Sequence, residues 1–299
     1  MRFRVSVFRE AQHAIKRLRP IIAVAALLLV VGSASAQSSD TFPGTIPDTF
    51  RLRLGGTYAW FNTNVTFQEN ITPGGPIGSG VNLEDVLGVP ASTAGFDGRG
   101  SWNFAGRFFF DFGYSEYTRS ATKGLSQDFT FGDSTYTIGA SVAASMKSQL
   151  PYADFRYGII KNDLTQFGVS LGVAYPILEA QASASAGVIG PDGPIIGQSV
   201  TRTAKIETPV PLLGLTFDQK LSDQLSVGGF VDGIFAPVHP YVGSIFFVDA
   251  HVDWFATRNL GFGAAFDYTK FHIKKEETNT YVAFAYSYYG PRVYVTLSF

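Results

Sequence analysis

From residue 50 onward, hydrophobic and polar positions alternate with a period of two. In residues 50–60 the large apolar side chains occupy the even positions, and in 101–115 Trp, Phe and Tyr do the same. Such alternation predicts β-strands with one apolar face and one face of small or charged residues. The alternation recurs in residues 150–159, 165–177, 206–218, 225–235, 242–256 and 260–270.

The residue types on the two faces favour a membrane barrel over a soluble β-sandwich. The apolar faces are rich in large aromatics, whereas the opposite faces carry Gly, Ser, Ala and scattered Asp and Arg. Small and charged side chains fit a narrow polar lumen, and aromatics are typical of the lipid–water interfaces of a barrel. We therefore predict an all-β fold, a transmembrane antiparallel up-and-down β-barrel.

The lengths of the connections predict the topology of this barrel. Short periplasmic turns and longer outer loops are the expected asymmetry. The short polar turns lie at residues 161–163, 222–224 and 257–259, and the long connections lie at 68–79, 119–142 and 182–204.

Both chain ends should lie in the periplasm, so residues 50–66 and 101–117 both run outward. Only 79–88 is then available to return between them. This arrangement predicts about ten strands, or eight if 79–97 merely lies against the barrel.

The last segment shows a change of phase. Its large apolar residues are at even positions from Val282 to Tyr288 and at odd positions from Val293 to Phe299. Two strands separated by a turn at Gly290 would leave the C-terminus outside. We therefore predict a single strand with a β-bulge at Gly290 and Pro291.

The N-terminal 36 residues have the pattern of a cleaved secretory signal. Six Lys and Arg residues precede the apolar run 21–31, and Ala34 and Ala36 precede the expected cleavage site. The apolar run is too short for a transmembrane anchor, which needs about 20 residues. We predict a signal peptide at 1–36, a periplasmic lead-in at 37–49 and an outer-membrane barrel at 50–299, located in the outer membrane of a Gram-negative cell envelope.

Charge and composition exclude several function classes. Without residues 1–36 the chain keeps 17 of its 23 Lys and Arg and 23 of its 24 Asp and Glu, a formal charge of −6. An acidic chain is a poor binder of nucleic acid. The absence of cysteine excludes disulfides, thiolate zinc sites and a cysteine nucleophile.

The inward positions predict a lumen charge network. Charged side chains of both signs in a narrow interior should pair across it. The sharpest cluster is Asp249-x-His251-x-Asp253, which suits either an oriented general base or a structural ion network. Its position far from the outer mouth favours the structural interpretation. The predicted network comprises Arg51, Arg53, Arg107, Asp111, Asp154, Arg156, Asp232, Asp249, His251, Asp253, Asp267 and Arg292.

The end of the chain, Val293-x-Val295-x-Leu297-x-Phe299, resembles bacterial outer-membrane β-barrel proteins, in particular the small OmpA/OmpX/OmpW-like barrels. In that group such an ending is recognised by the barrel-assembly machinery. The resemblance implies the same role for Val293, Val295, Leu297 and Phe299. No peptidoglycan-binding domain is expected after the barrel.

Three function classes remain open. The leading one is a structural or surface-interaction barrel with a mostly filled polar lumen. The alternatives are a narrow, porin-like channel for small solutes and an outer-membrane hydrolase that uses the Asp/His cluster. We expect no enzyme activity, no cofactor and no catalytic or metal site. The expected partners are outer-membrane lipids, lipopolysaccharide and the assembly machinery, with no nucleic acid, and the oligomeric state stays open.

Overall fold

The computed structural model describes residues 49–69, 80–195, 198–238, 241–277 and 279–299, with only the backbone for 235–238. The predicted signal peptide and residues 37–48 of the lead-in lie outside these ranges. The strands in chain order are β1 (Phe50–Glu69), β2 (Val81–Asn82), β3 (Ser92–Ala105), β4 (Phe108–Gly124), β5 (Phe129–Phe131), β6 (Ser134–Tyr136), β7 (Ser141–Lys161), β8 (Thr165–Ala174), β9 (Ile177–Ala184), β10 (Val188–Gly190), β11 (Gly193–Ile195), β12 (Val200–Glu207), β13 (Val210–Lys220), β14 (Leu225–Val238), β15 (Tyr241–Phe255), β16 (Leu260–Glu276) and β17 (Thr280–Ser298).

The long strands close into an antiparallel ring, which confirms the predicted barrel. β1 pairs with β3, and the pairing continues through β4, β7, β8, β13, β14, β15, β16 and β17 back to β1. The two chain ends meet, because Phe50 N donates to Phe299 O at 3.0 Å. The tight turns at 106–107, 162–164, 221–224 and 256–259 lie at the same end, which we call the turn end.

A band of large apolar side chains, here called the belt, surrounds the half of the barrel next to the turn end. Leu171 and Val293 expose 64% and 66% of their surface. On β16 the belt runs from Leu260 to Tyr268, which is about 25–30 Å along the strand and matches a lipid-facing band ~25 Å tall once the strand is tilted. The belt consists of the outward residues Leu54, Tyr58, Trp60, Phe96, Trp102, Phe104, Phe108, Phe155, Tyr157, Leu171, Val173, Tyr175, Leu213, Leu215, Val231, Val252, Trp254, Leu260, Phe262, Phe266, Tyr268, Tyr289, Val293 and Val295.

Beyond the belt the two faces of the wall exchange polarity: the outward face becomes polar and the inward face becomes apolar. On β1 the outward face changes from Trp60 to Asn62. The inward face changes from Thr57 to Phe61 and Val65, both buried. A barrel wall in lipid must be apolar outside, whereas a wall in water must be apolar inside. The exchange therefore marks where the barrel leaves the membrane.

The interior beyond the belt is an apolar core, here called the upper core. β7 continues past β8 and pairs with β9, which pairs with β12, so this part of the wall has its own hairpin. β12 also contacts β16 and β17 across the interior. The upper core includes the buried residues Phe61, Val65, Phe67, Val142, Ala144, Met146, Leu178, Ala180, Phe247, Phe271, Ile273, Val282, Phe284, Tyr286 and Tyr288.

A small second sheet covers the end of the upper core. It has the order β11-β10-β6-β5, and we call it the cap. Phe131 and Tyr136 of the cap are buried, and Tyr136 Oη donates to Ala182 O at 3.1 Å. The prediction that 119–142 and 182–204 are long outer loops is therefore wrong. Strands of the wall and of the cap occupy most of both ranges.

The structure corrects the predicted pair of strands at 79–88 and 101–117. The returning strand is β3, and the next outward strand is β4, joined by a tight turn at Gly106 and Arg107 with φ = 55° at Gly106. The register of the hairpin shifts between Asn103 and Ala105, so Trp102 lies opposite Phe110 and Asn103 opposite Phe109. Because these partners have the same parity, the hairpin has the even–odd pattern of one strand. Among the described residues 80–88 only Val81 and Asn82 form a strand, and Leu83, Leu87 and Val89 after it are buried.

β17 is continuous and has no bulge, so the predicted bulge at Gly290 and Pro291 was wrong. Its pairing with β16 keeps one register through both residues. Even positions point inward along the whole strand, from Tyr288 in the upper core to Arg292 in the belt half. The apparent change of phase is the exchange of polarity between water and lipid.

No helix in the described part of the chain is long and apolar enough to cross a membrane.

Candidate functional site

The most polar region of the protein is the interior of the belt half, which we call the lower lumen. Its side chains come from alternate positions of strands whose other faces form the belt. The strands therefore place charged groups inside because their apolar residues face outward. The lower lumen contains Arg51, Arg53, Asp97, Arg99, Asp111, Asp154, Arg156, Asp218, Asp232, Asp249, His251, Asp253, Asp267 and Arg292.

Two arginines and three aspartates form the centre of this network. Arg292 contacts Asp97, Asp249 and Asp267 at 3.0, 2.6 and 2.9 Å. Arg99 contacts the same three carboxylates at 3.0, 2.9 and 2.8 Å. Arg292 is 1% exposed. Several charge-assisted hydrogen bonds converge on each carboxylate, which is the condition for holding charges away from water.

A second group lies nearer the turn end, around Asp253. Arg53 Nη2 donates to Asp253 Oδ2 at 2.6 Å, and Arg51 Nη1 is 3.5 Å from the same oxygen. Arg51 also lies over the ring of Phe255. Asp253 is fully buried, so these arginines supply its nearest counter-charges.

His251 connects the two groups. Its Nδ1 lies 2.5 Å from Asp249 Oδ1, and its Nε2 lies 3.0 Å from Arg53 Nη2. A neutral ring with the proton on Nδ1 donates to Asp249 and accepts from Arg53, so this tautomer satisfies both contacts. Nε2 also lies 3.3 Å from Asp218. Both ring nitrogens are thus used by protein groups.

A third group lies on the β4–β7–β8 side of the lower lumen. Arg156 binds Asp111 through two hydrogen bonds of 2.6 and 3.0 Å and stacks on Phe109, 4.0 Å from the ring centroid. Asp154 and Asp232 lie beside this pair, and Asp232 accepts a hydrogen bond from Ser170 at 3.1 Å. A cavity of about 80 Å³ lies between them, and Arg51, Arg53, Arg99 and His251 also line it.

The structure brings together all the predicted network residues except Arg107. Arg107 is exposed in the turn between β3 and β4 and donates to Ile159 O at 2.9 Å. Sequence reasoning missed Asp97 and Arg99, because the segment 92–105 was not recognised as a separate strand. Their alternation with Phe96, Gly98 and Gly100 is the signal that could have identified them.

The predicted assembly residues lie on the outward face of the last strand. Val293, Val295 and Phe299 are exposed, at 66%, 39% and 65%. Leu297 is half-buried between its cross-strand partners Leu52 and Leu260. The four side chains therefore form a row at the turn end of the belt.

A short segment, residues 83–90, lies against the upper core between β1 and β4 and is here called the wall segment. Leu83, Leu87 and Val89 are buried at 1–2% exposure. Arg119, on β4, hydrogen-bonds to both ends of this segment. It donates to Glu84 at 2.6 Å and to Pro90 O at 3.0 Å. The wall segment and the cap both cover the upper core, and a cavity of about 460 Å³ lies between them, lined by Phe67, Val86 and Phe129 among others.

The cap is tied to β12 by an ion pair. Arg202 Nε donates to Asp133 Oδ1 at 2.6 Å. Partial burial acts to raise the pKa of Asp133, but hydrogen bonds from Arg202 and Ser134 outweigh it and hold this pKa below its ordinary value. The carboxylate is therefore charged at neutral pH and keeps the pair intact.

Within the described residues, no group of three or more His, Cys, Asp and Glu side chains has an arrangement that could hold a metal ion.

No protein-family model and no curated protein matches this sequence. Among solved structures, the outer-membrane protease OmpT from Escherichia coli is similar with a TM-score of 0.51 and 10% identity, covering 89% of this chain and 100% of that one. The translocator domain of the autotransporter NalP from Neisseria meningitidis has a TM-score of 0.38 and 13% identity, covering 97% of both chains. The Pseudomonas putida toluene transporter TodX has a TM-score of 0.35 and 9% identity, covering 85% of this chain and 91% of that one.

At this level of identity the similarity to OmpT is one of fold. The chain has the fold of an outer-membrane β-barrel protein.

Proposed function

We propose that this protein is a sealed outer-membrane barrel with a structural and surface-interaction role, and that its upper part projects from the cell. The observation that carries the proposal is the exchange of polarity along β1, from Trp60 outside and Thr57 inside to Asn62 outside and Phe61 inside. Such a wall is suited to lipid in one half and to water in the other.

A sealed interior follows from what fills each half. In the lower lumen, Arg292 and Arg99 bridge β3, β15, β16 and β17 through shared carboxylates. In the upper half, the described strands enclose an apolar core of buried side chains. A solute would have to separate buried ion pairs and then cross an apolar core, and both steps carry a high free-energy cost.

Lipopolysaccharide is the partner that the outer surface supports best. β16 carries Lys270 and Lys274 on its outward face, directly beyond the last belt residue, Tyr268. Phosphate groups of an outer leaflet lie at this height above the hydrocarbon. A lysine near an anionic membrane surface contributes about 1 kcal/mol, so the pair supplies a modest electrostatic contribution to lipopolysaccharide binding.

The row Val293, Val295, Leu297 and Phe299 supports a second partner, the barrel-assembly machinery. These residues end the last strand, and three of them are exposed. We assign them the role of an assembly signal, in line with the resemblance of this ending to those of small outer-membrane barrels.

An enzymatic role does not fit the geometry of His251. A general base needs a free lone pair within reach of a substrate. Nε2 of His251 faces Arg53 instead, and the side chain is 5% exposed. We propose that Asp249, His251 and Asp253 are structural, and that the protein is not an enzyme.

Planar-bilayer recording tests the sealed barrel against the channel alternative. Protein folded into detergent, checked by its heat-modifiable mobility, is added to the bilayer. We expect no steady conductance at any holding voltage. A steady ohmic conductance that scales with the amount of inserted protein would establish the channel and overturn the sealed-lumen proposal.

Binding to purified lipopolysaccharide tests the surface role. The Lys270→Gln/Lys274→Gln variant removes two charges beside the belt, so its affinity should fall by up to about 30-fold. Lys205→Gln is the matched control, because Lys205 is exposed on β12 and paired with Glu207. Equal affinity of both variants and wild type would refute this partner.

A further inference from the structure

We propose that the lower lumen binds one hard divalent cation between Asp154 and Asp232. This site goes beyond the surface role and is independent of it. It rests on a glycine-lined space that holds both carboxylates, on buried oxygen atoms without partners, and on the balance of charges in the lower lumen.

Two glycines make room for the two carboxylates. Asp154 on β7 is directly opposite Gly172 on β8, and Asp232 on β14 is directly opposite Gly214 on β13. A Cβ atom at Gly172 would lie 2.0 Å from Asp154 Oδ1, and one at Gly214 would lie 1.5 Å from Asp232 Oδ1. Both side chains therefore lie over the glycines of neighbouring strands.

The two carboxylates approach each other from opposite sides. β8 and β13 are adjacent and lie between β7 and β14. Asp232 extends over β13 far enough to accept a hydrogen bond from Ser170 on β8 at 3.1 Å. Asp154 extends over the same strand, β8, from the other side. The glycines thus form the floor of a site with a carboxylate on each side.

Two buried oxygen atoms of this region have no hydrogen-bond partner among the described protein atoms. They are Asp154 Oδ1 and Thr216 Oγ1. Asp154 is 3% exposed. Both residues line the cavity of about 80 Å³, which has room for an ion and coordinating water. A buried carboxylate oxygen without a partner is costly, so the cavity calls for a ligand that accepts its lone pairs.

The numbers of acidic and basic side chains in the lower lumen favour binding of a cation. Among the described residues, five of the eight lower-lumen aspartates contact an arginine and Asp218 lies beside His251, whereas Asp154 and Asp232 contact neither. The eight carboxylates of the lower lumen face five arginines, and four of these arginines also line the cavity. All four bind other aspartates, so Asp154 and Asp232 are left without a counter-charge in direct contact. One divalent ion would neutralise the pair.

The donors select a hard ion. The site offers carboxylate oxygens and the hydroxyl groups of Ser170 and Thr216. No thiol is present, and the ring nitrogens of His251 are already used. All-oxygen donors with water completing the shell suit Ca²⁺ or Mg²⁺.

The test uses the full mature chain refolded into zwitterionic detergent without lipopolysaccharide, with Ca²⁺, with Mg²⁺ or with neither. Heat-modifiable mobility gives the unfolding midpoint. Saturating Ca²⁺ should raise it by about 5 °C or more in the wild type. Tb³⁺ added in place of Ca²⁺ should show emission excited through Tyr152, which lines the cavity, and Ca²⁺ should displace it.

Three variants define the site. Asp154→Asn should abolish the Ca²⁺ shift and the Tb³⁺ emission, and it should still fold because it removes surplus charge. Ser170→Ala keeps the charge and should weaken binding by about tenfold. Asp163→Asn, in the exposed turn after β7, is the matched control and should behave as wild type.

The proposal is overturned if neither Ca²⁺ nor Mg²⁺ shifts the wild-type midpoint at pH 8. That result would mean that the two carboxyl groups hold a proton or water instead. It is equally overturned if Asp154→Asn keeps the full Ca²⁺ shift and Tb³⁺ emission, because the ion would then bind elsewhere. Neither result affects the sealed-barrel proposal, which depends on conductance.

Discussion

Arg99 and Arg292 lie on strands on either side of β1 and bind the same three carboxylates, those of Asp97, Asp249 and Asp267. Each arginine makes three contacts of 3.0 Å or less. The five groups come from β3, β15, β16 and β17, so they connect strands across the interior as well as along the wall. This cluster fixes the lower lumen in one packed arrangement.

Removing Arg292 should destabilise the barrel strongly. Arg292→Met would leave buried carboxylates short of one partner, and breaking a buried ion pair in this way costs about 3–5 kcal/mol. Arg292→Lys should be intermediate, because an ammonium keeps the charge but lacks the planar fork of donors. The free energy of unfolding, measured in urea with the barrel in lipid vesicles, checks both.

Arg107→Ala is the matched control for this experiment. Arg107 is exposed in a turn, and its removal should change the free energy of unfolding by only about 0.5 kcal/mol. A loss for Arg292→Met no larger than that for Arg107→Ala would show that the cluster does not stabilise the barrel.

The wall segment should depend on Arg119. Arg119 is 1% exposed at its side chain, contacts Glu84 at 2.6 Å and lies over the ring of Phe61 at 4.1 Å. Arg119→Met leaves Glu84 buried without its counter-charge, a cost of about 3–5 kcal/mol. We expect residues 83–90 to become sensitive to protease added outside intact cells.

Lys123→Ala separates this effect from a general loosening of β4. Lys123 also binds the region of the wall segment, through Asp85 O at 2.7 Å, but this contact is exposed. The control variant should stay as resistant to protease as the wild type. Cleavage of both variants at equal rates would contradict the assigned role of Arg119.

The last residue should matter more for assembly than for stability. A charge near the membrane interface costs only about 0–1 kcal/mol in a folded barrel. Deletion of Phe299, or Phe299→Asp, should nevertheless lower sharply the fraction of heat-modifiable, protease-resistant protein in outer-membrane fractions. Thr203→Asp, exposed on β12, is the control. If the Phe299 variants match wild type, these residues are not an assembly signal.

The belt half could be predicted from the sequence because its alternation of apolar and polar residues comes from one arrangement, with lipid outside and a polar lumen inside. Outward residues contact lipid and inward residues form the lower lumen, so a period of two assigns both faces at once. The prediction that Asp249, His251, Asp253 and Arg292 share an interior follows from this alternation, and the structure places them within one network.

The upper half was harder to predict because the solvent changes along single strands. Val282, Phe284 and Tyr286 lie in the upper core, whereas the equally apolar Val293 faces lipid. Assigning every apolar face to lipid therefore required a bulge in β17 that does not exist. Hydrophobicity alone does not distinguish an apolar face in lipid from one in a core.

The Arg99 contacts could not be predicted because the register shift between Asn103 and Ala105 gives β3 and β4 the same even–odd phase. A pattern that merges β3 and β4 into one strand assigns no face to Arg99 and predicts Arg107 in the lumen. The partners of an arginine across a barrel also depend on the register of distant strands, which one sequence does not specify. The glycine floor beneath Asp154 depends on the same registers.

The central claim, that β17 passes from lipid into water between Tyr289 and Ser287, is tested most directly by cysteine labelling. The chain has no native cysteine, so single cysteines at outward positions can be reacted with a membrane-impermeant maleimide on intact cells. We predict rapid labelling at Ala283→Cys and Ser287→Cys and protection at Val293→Cys and Val295→Cys. Protection at 283 and 287 together with labelling at 293 and 295 would contradict the account.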